Sequence, residues 1–253
     1  MPTAATTAPV RLVQISDCHL PARPGTPYRG GNADDGLLSL VSKVAGRTPD
    51  ALLLTGDLSE DSSAEAYRRL RAALDPLELP LLALPGNHDR PSDVEAYFAN
   101  GPWNGPLAQA LGGWRIVMLD STLEGRVEGR LTDDTMVNLE AELARNENSW
   151  VLLALHHQPV PVGSRWIDRY RLLDPEPLLD LIEDHPRVRC VVWGHVHQAF
   201  ESRHGQARLL ACPSTAANSL PGQERFTPDP AGPACRWLEL HSDGSVRTGL
   251  LRA

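Results

Sequence analysis

Eight polar residues stand where apolar runs of the chain break off: Asp17 and His19, Asp57, Asn87 and His88, His156, and His195 with His197. Carboxylate, amide and imidazole groups are the side chains that bind transition metals and move protons. Asn87 and His88 lie in Leu84-Pro85-Gly86-Asn87-His88-Asp89, where the apolar run over 79–84 stops at Pro-Gly. Such a run reads as a buried strand that delivers its last side chains to a loop at the sheet edge. Gly86 lets the backbone turn tightly, so that Asn87 and His88 both reach one space. In Asp17-Cys18-His19 and His195-Val196-His197 the polar pair is spaced i, i+2, which in an extended segment places both on one face. Taken singly, Asn-His-Asp and Gly-Asp are also ordinary turn chemistry. Five such strand ends in one chain point to a shared site.

Mixed oxygen and nitrogen donors suit Fe, Mn, Zn or Co better than Ca or Mg. Asp17, His19, Asp57, Asn87, His156, His195 and His197 are too many ligands for one ion with an open position. They suit two divalent ions that share a carboxylate. Two ions about 3.5–4 Å apart can hold a bridging hydroxide and clamp a phosphoryl group.

The elements that must position these groups follow from the pattern. Strands are expected over 10–15, 50–55, 79–84, 115–120, 150–155 and 187–193. Helices are expected over about 34–45, from the capping box Ser62-Ser63-Ala64-Glu65 to about Pro76, and over 91–98, 132–144 and 177–183. Residues 21–36, 100–106, 158–174 and 213–233 read as loops, the last long enough to be functional. From 200 onward the pattern turns to short strands, over 200–204, 208–211, 236–241 and 245–250. Strand–helix alternation followed by a strand-rich end predicts an α/β fold, a four-layer αββα sandwich of two mixed β-sheets flanked by helices. In open α/β sheets the strand ends converge on one edge, where ligands bind. One domain over 1–253 is expected, with residues 1–9 as a flexible N-terminus.

Composition narrows the partners. A formal charge of −8 argues against a nucleic-acid polymer or an anionic membrane surface. Basic charge is almost all arginine, Lys43 being the only lysine. No signal peptide or transmembrane span is visible, and Cys18, Cys190, Cys212 and Cys235 form no CxxC pair. Reduced thiols in a cytoplasmic protein are the expectation.

The ordered set Asp17-x-His19, Gly56-Asp57, Gly86-Asn87-His88-Asp89, His156 and Gly194-His195-x-His197 resembles the calcineurin-like metallophosphoesterase superfamily across nearly the whole chain. His156-His157-Gln158-Pro159-Val160-Pro161-Val162-Gly163-Ser164, Trp193 to Gln198 and Arg236-Trp237-Leu238-Glu239-Leu240 further resemble bacterial class III 3′,5′-cyclic-nucleotide phosphodiesterases of the CpdA type. The resemblance implies one metal on Asp17, His19, Asp57 and His197, and a second on Asn87, His156, His195 and the shared Asp57. Fe or Mn is then expected, with Zn or Co as alternatives. It also implies that His88 stays off the metals, contacts the phosphate and protonates the leaving oxygen. Substrate contacts would fall on His19, Asp57, Asn87, His88 and His197.

The implied reaction is hydrolysis of 3′,5′-cyclic AMP to 5′-AMP by a metal-bridging hydroxide. The second reading keeps the metals and changes the diester to a glycerophosphodiester, a 2′,3′-cyclic nucleotide or a nucleotide-lipid pyrophosphate. A third is a non-catalytic scaffold, which the intact ligand set disfavours. Substrate choice should lie in 21–31, 157–174 and 212–230, where Tyr28, Trp166 or Phe226 can stack on a base or simply pack the loops. Cys18 departs from the expected metal chemistry and reads as a bystander facing the core, while His157, His185, His204 and His241 take no assigned role.

Overall fold

A computed structural model describes residues 8–98, 105–145 and 148–253. Most of the expected N-terminal tail, residues 1–7, and most of the expected loop 100–106 lie outside the described residues.

The chain opens with β1 (Val10–Ile15), a two-residue-stranded hairpin of β2 (Pro27–Tyr28) and β3 (Gly31–Asn32), and α1 (Ala33–Ala45). Then come β4 (Ala51–Thr55), α2 (Ala64–Leu74), β5 (Leu81–Leu84) and α3 (Pro91–Phe98). The second half holds β6 (Leu107–Leu111), β7 (Trp114–Met118), β8 (Gly129–Arg130), α4 (Asp133–Arg145) and β9 (Trp150–Ala154). It continues through α5 (Arg165–Asp168), β10 (Leu172–Leu173), α6 (Glu176–Asp184) and β11 (Val188–Trp193). The strands β12 (Phe200–His204), β13 (Ala207–Ala211), β14 (Ala234–Leu240) and β15 (Val246–Arg252) close it.

Two mixed sheets result, one ordered β15-β14-β1-β4-β5 and the other β12-β13-β11-β9-β7-β6. In the second sheet β13, β11, β9 and β7 run parallel between antiparallel edges, and in the first β1, β4 and β5 run parallel with β14 and β15 antiparallel beside them, in keeping with strands buried on both faces. Alternation along single strands shows which layer each residue serves. Val13, Ile15, Leu52 and Leu54 pack outward under the helices of the first half. Leu12, Ala51 and Leu53 turn the other way and meet Ile116, Met118, Leu152, Ala154 and Val192 of the facing sheet. Val117, Leu153 and Val191 pack outward against α4 and α6. Three apolar layers between four layers of secondary structure make the αββα sandwich that the pattern predicts.

Three local expectations need correction. The segment over 21–36 is not all loop, because Tyr28 and Gly31 pair across a hairpin whose tip is Arg29-Gly30. An edge strand, β6, precedes β7; its half-exposed Leu-Ala-Gln-Ala-Leu carries too weak an alternation to stand out. The expected capping box does not form. Ser63, not Ser62, caps α2 through Ala66 N–H, while the Ser62 hydroxyl donates to the His88 carbonyl at 2.7 Å. The loop over 213–233 folds back beneath the end of β1, where Ser214 Oγ donates to Asp17 O (2.7 Å) and Thr215 N–H to Ser16 O (3.1 Å). No helix among the described residues is long and apolar enough to cross a membrane.

Candidate metal centre

The strand ends do converge, but not by the route that spacing suggested. Asp17, His19, Asp57, His195 and His197 all have positive φ, between 43° and 66°. An extended segment with i and i+2 on one face therefore describes neither pair. Each residue turns in a left-handed conformation that costs on the order of 1–3 kcal/mol for a side chain other than glycine. Pairing of neighbouring loops holds the turns in place. Asp17 N–H donates to Gly56 O (3.0 Å), His19 N–H to Asp57 O (2.9 Å), and His195 N–H to the Asp17 carboxylate (3.0 Å). Gly86 also acts differently from expectation, since its φ is not positive. It is needed because a Cβ there would run into Asp57 N and Oδ1 and lie 2.8 Å from His156 Cε1.

All seven sequence-predicted ligands meet in one small volume, with six of them buried. His19 Nε2 lies 3.0 Å from His197 Nε2, which in turn lies 3.4 Å from Asp17 Oδ1. His156 Nε2 lies 3.2 Å from Asn87 Oδ1. Between the two groups sits a single oxygen: Asp57 Oδ2 is 3.6 Å from His19 Nε2 and 3.4 Å from His156 Nε2. His88 is placed apart from the cluster, its N–H donating to the other oxygen, Asp57 Oδ1 (2.9 Å), and its ring edge-on to His19 at 4.9 Å between centroids.

The outer nitrogens of the rings fix their tautomers. A carbonyl only accepts, so His197 Nδ1 donates to Ala217 O (2.7 Å), His156 Nδ1 to Thr55 O (2.8 Å) and His195 Nε2 to Tyr170 O (3.0 Å). His19 Nδ1 donates to Glu60 Oε2 at 2.6 Å. In the neutral rings the inward nitrogens are then all lone pairs, and they face carboxylate and amide oxygens. Acceptors packed against acceptors in a buried pocket repel unless a cation or a proton stands among them. The donor set fits divalent transition metals in number, type and outer support.

Charge states agree. Burial pushes down His19 and drives His195 to about 3, keeping both neutral, as ligation needs. Burial would raise Asp17 and Asp57, yet the facing histidines, His197 for one and His156 for the other, hold both below the usual carboxylate range. His156 goes up to about 9 despite its burial, because Asp57 favours its charged form. A proton there and a divalent cation are alternatives for the same lone pair. His88 is likewise raised against the effect of burial by Asp57 and the Glu60 carbonyl.

Two residues escaped sequence reasoning, and a third, His157, was named there without a role. Glu60 joins His19 to His88, with its Oε2 3.5 Å from His88 Nδ1 and its carbonyl accepting from that nitrogen at 2.9 Å. Asp89 accepts from Leu58 N, Ser59 N, Gly86 N and Tyr67 OH, and so ties the loop after β4 to the loop after β5. Its place in the polar run 87–89 was the available signal. His157 lies beneath the centre, held by Ser121 Oγ (2.8 Å) and Val127 O (3.1 Å). Cys18 is fully buried in the outer core of the first sheet, its thiol pushed up to about 12 by burial; it faces away from chemistry.

With this fold and centre, the chain is a calcineurin-like phosphoesterase; the family's model matches residues 10–199. Its relatives sharpen the picture. It is 40% identical over 252 residues, 99% of this chain and 92% of the relative, to the 3′,5′-cyclic adenosine monophosphate phosphodiesterase CpdA of Pseudomonas aeruginosa. The enzyme of the same name from Escherichia coli K12 is 33% identical, over 97% of this chain and 90% of that one. Among solved structures, a dimetal phosphatase from Danio rerio superposes with a TM-score of 0.71 at 16% identity, covering 96% of this chain and 99% of that one. That likeness concerns the fold alone.

Proposed function

We propose that this protein is a two-metal phosphodiesterase that hydrolyses 3′,5′-cyclic AMP to 5′-AMP. The observation that carries the two-metal reading is the position of Asp57 Oδ2, within 3.6 Å of one inward histidine nitrogen and 3.4 Å of another. One ion would be held by Asp17, His19, Asp57 and His197, the other by Asp57, Asn87, His156 and His195. When bound, such a pair neutralises phosphoryl oxygens and lowers the pKa of water. The donor set is compatible with Fe or Mn, and with Zn or Co. Near full-length likeness to enzymes named for 3′,5′-cyclic AMP supports the substrate.

The chain's own residues do the rest. His88 Nδ1 donates to Glu60 O, so the proton on Nε2 is the one available to the departing 3′ oxygen. Burial disfavours the charged ring, but Asp57 and Glu60 outweigh it and shift His88 upward from its ordinary value. Asn87, a neutral amide, holds its ion less tightly than a carboxylate would and leaves room for a phosphate oxygen to compete. A cleft of about 510 Å³, lined by Asn87, His88, Arg90 and residues 122–125, opens beside this acid and gives the leaving side of the ring somewhere to go.

Metal-reconstituted protein should turn over bis(p-nitrophenyl) phosphate, and should show its highest kcat/KM on 3′,5′-cyclic AMP when compared with cyclic GMP and 2′,3′-cyclic AMP. Preference for the 2′,3′ isomer would move the reading to another small phosphodiester. No turnover with any metal would leave only a scaffold.

A further inference from the structure

Above the metal centre three separate loops bring together a wall of aromatic rings around one arginine. Tyr28, on the hairpin, lies flat on the His19 ring, with centroids 4.3 Å apart and planes 12° from parallel. Trp166, on α5, and Phe226, in the loop before β14, meet edge-to-face at 5.4 Å. Both face His197, at 6.5 and 6.3 Å. The Arg29 guanidinium lies 4.1 Å over Phe226, 5.9 Å from Trp166 and 5.5 Å from Tyr28. Arg29 Nε donates to Tyr28 OH at 3.1 Å.

Several features mark this wall as more than loop packing. No carboxylate of the described residues lies within ion-pair distance of Arg29, in a chain of net charge −8. Its φ of 46° is one that asparagine or glycine adopts more readily at a hairpin tip. The Trp166 Nε1 is buried without a hydrogen-bond partner. The two loops that carry the rings are fastened together, since Gly222 N–H donates to Ser164 Oγ (2.9 Å), which donates to Gln198 Oε1 (2.8 Å). The wall is therefore a fixed frame that ends in an exposed planar cation.

We infer that Arg29, with Trp166 and Phe226, is the nucleobase subsite: the base of a cyclic nucleotide whose phosphate lies on the metal centre stacks on the guanidinium and indole planes. This rests on the cyclic-nucleotide reading above. Planar cations and aromatic rings bind bases through their π faces with little need for base-edge contacts, so ring area sets the strength. Purine 3′,5′-cyclic nucleotides are then preferred to pyrimidine ones. The competing position is the cleft beside His88, where Arg90 is the exposed cation.

The test compares 3′,5′-cyclic AMP with an abasic analogue, 1-deoxyribose 3′,5′-cyclic phosphate, in metal-loaded enzyme. Arg29→Ala and Phe226→Ala should each raise KM for cyclic AMP about tenfold, with kcat within twofold. The same variants should leave the abasic diester unchanged, which also certifies folding and metal content. Arg29→Lys should behave like Arg29→Ala, because charge without a plane cannot stack. Full rescue by lysine, or an equal loss on the abasic diester, would mean attraction of the phosphate and would overturn the subsite. So would a rise in cyclic AMP KM from Arg90→Ala with none from Arg29→Ala. If the wild type cleaves bis(p-nitrophenyl) phosphate but not cyclic AMP, the substrate reading itself is what fails.

Discussion

The floor of the site and its aromatic rim face the same space but are built in opposite ways. The floor consists of strand ends from both sheets, buried, with backbone turns of unfavourable φ and one nitrogen of each ring already paired outward. The rim consists of loops: a two-residue hairpin tip, a single-turn helix and part of the 213–233 segment, with an exposed arginine over half-exposed rings. In the floor a side chain is locked by the one before it, so a change at one position reaches its neighbours. In the rim the contacts are between rings, edge-to-face or stacked, and those of Trp166 and Phe226 can be exchanged with little effect below. That difference separates chemistry from choice of substrate, and it can be tested from either side.

The largest effect is expected from His88→Ala, which should lower kcat about 10²–10⁴-fold while two metals per chain remain by elemental analysis. Loss of metal along with activity would make His88 part of the holding floor and erase the distinction. Asp89→Ala comes next. It strips four buried donors of their acceptor and should lower stability by about 3 kcal/mol in urea unfolding, with weaker metal retention. A midpoint unchanged by this variant would mean that the loops after β4 and β5 stand without a brace. Glu60→Ala should weaken the affinity of one ion about 10–100-fold in a chelator competition, since it removes the acceptor that orients His19. The smallest effect is a null. At pH 8, 5,5′-dithiobis(2-nitrobenzoate) should titrate none of the four thiols until the protein is unfolded. Burial pushes Cys18, Cys190 and Cys235 up to about 12 and raises Cys212 well above its ordinary value, so thiolate is scarce at that pH. Fast reaction at Cys18 would show that the end of β1 opens to solvent.

What could be read in the sequence was set by residue type. An apolar run that stops at Asp, Asn or His announces both a strand and what it carries, and this placed all seven residues of the floor. What the run cannot announce is the backbone beyond it. The i, i+2 argument for Asp17 and His19 gave the right neighbours for the wrong reason, because the left-handed turns come from long-range bonds to Gly56 and Asp57. Glu60 and Asp89 were hidden for the same cause: most of their partners lie on other loops and on α2, and their local sequence looks like any acidic turn. The hairpin of β2 and β3 was invisible because two-residue strands have no period to detect. Tyr28, Trp166 and Phe226 were visible only as aromatics in loops, and which rings touch depends on how three loops fold.

The left-handed residues of the floor carry a further consequence for how the molecule comes together and comes apart. Asp17, His19 and Asp57 follow strands of one sheet, His195 and His197 follow a strand of the other, and bonds between distant loops hold the turns of Asp17, His19 and His195. The site therefore cannot exist in a half-formed chain: it appears only once both sheets have paired and closed on each other. At equilibrium the centre is complete only where residues of both sheets stand together.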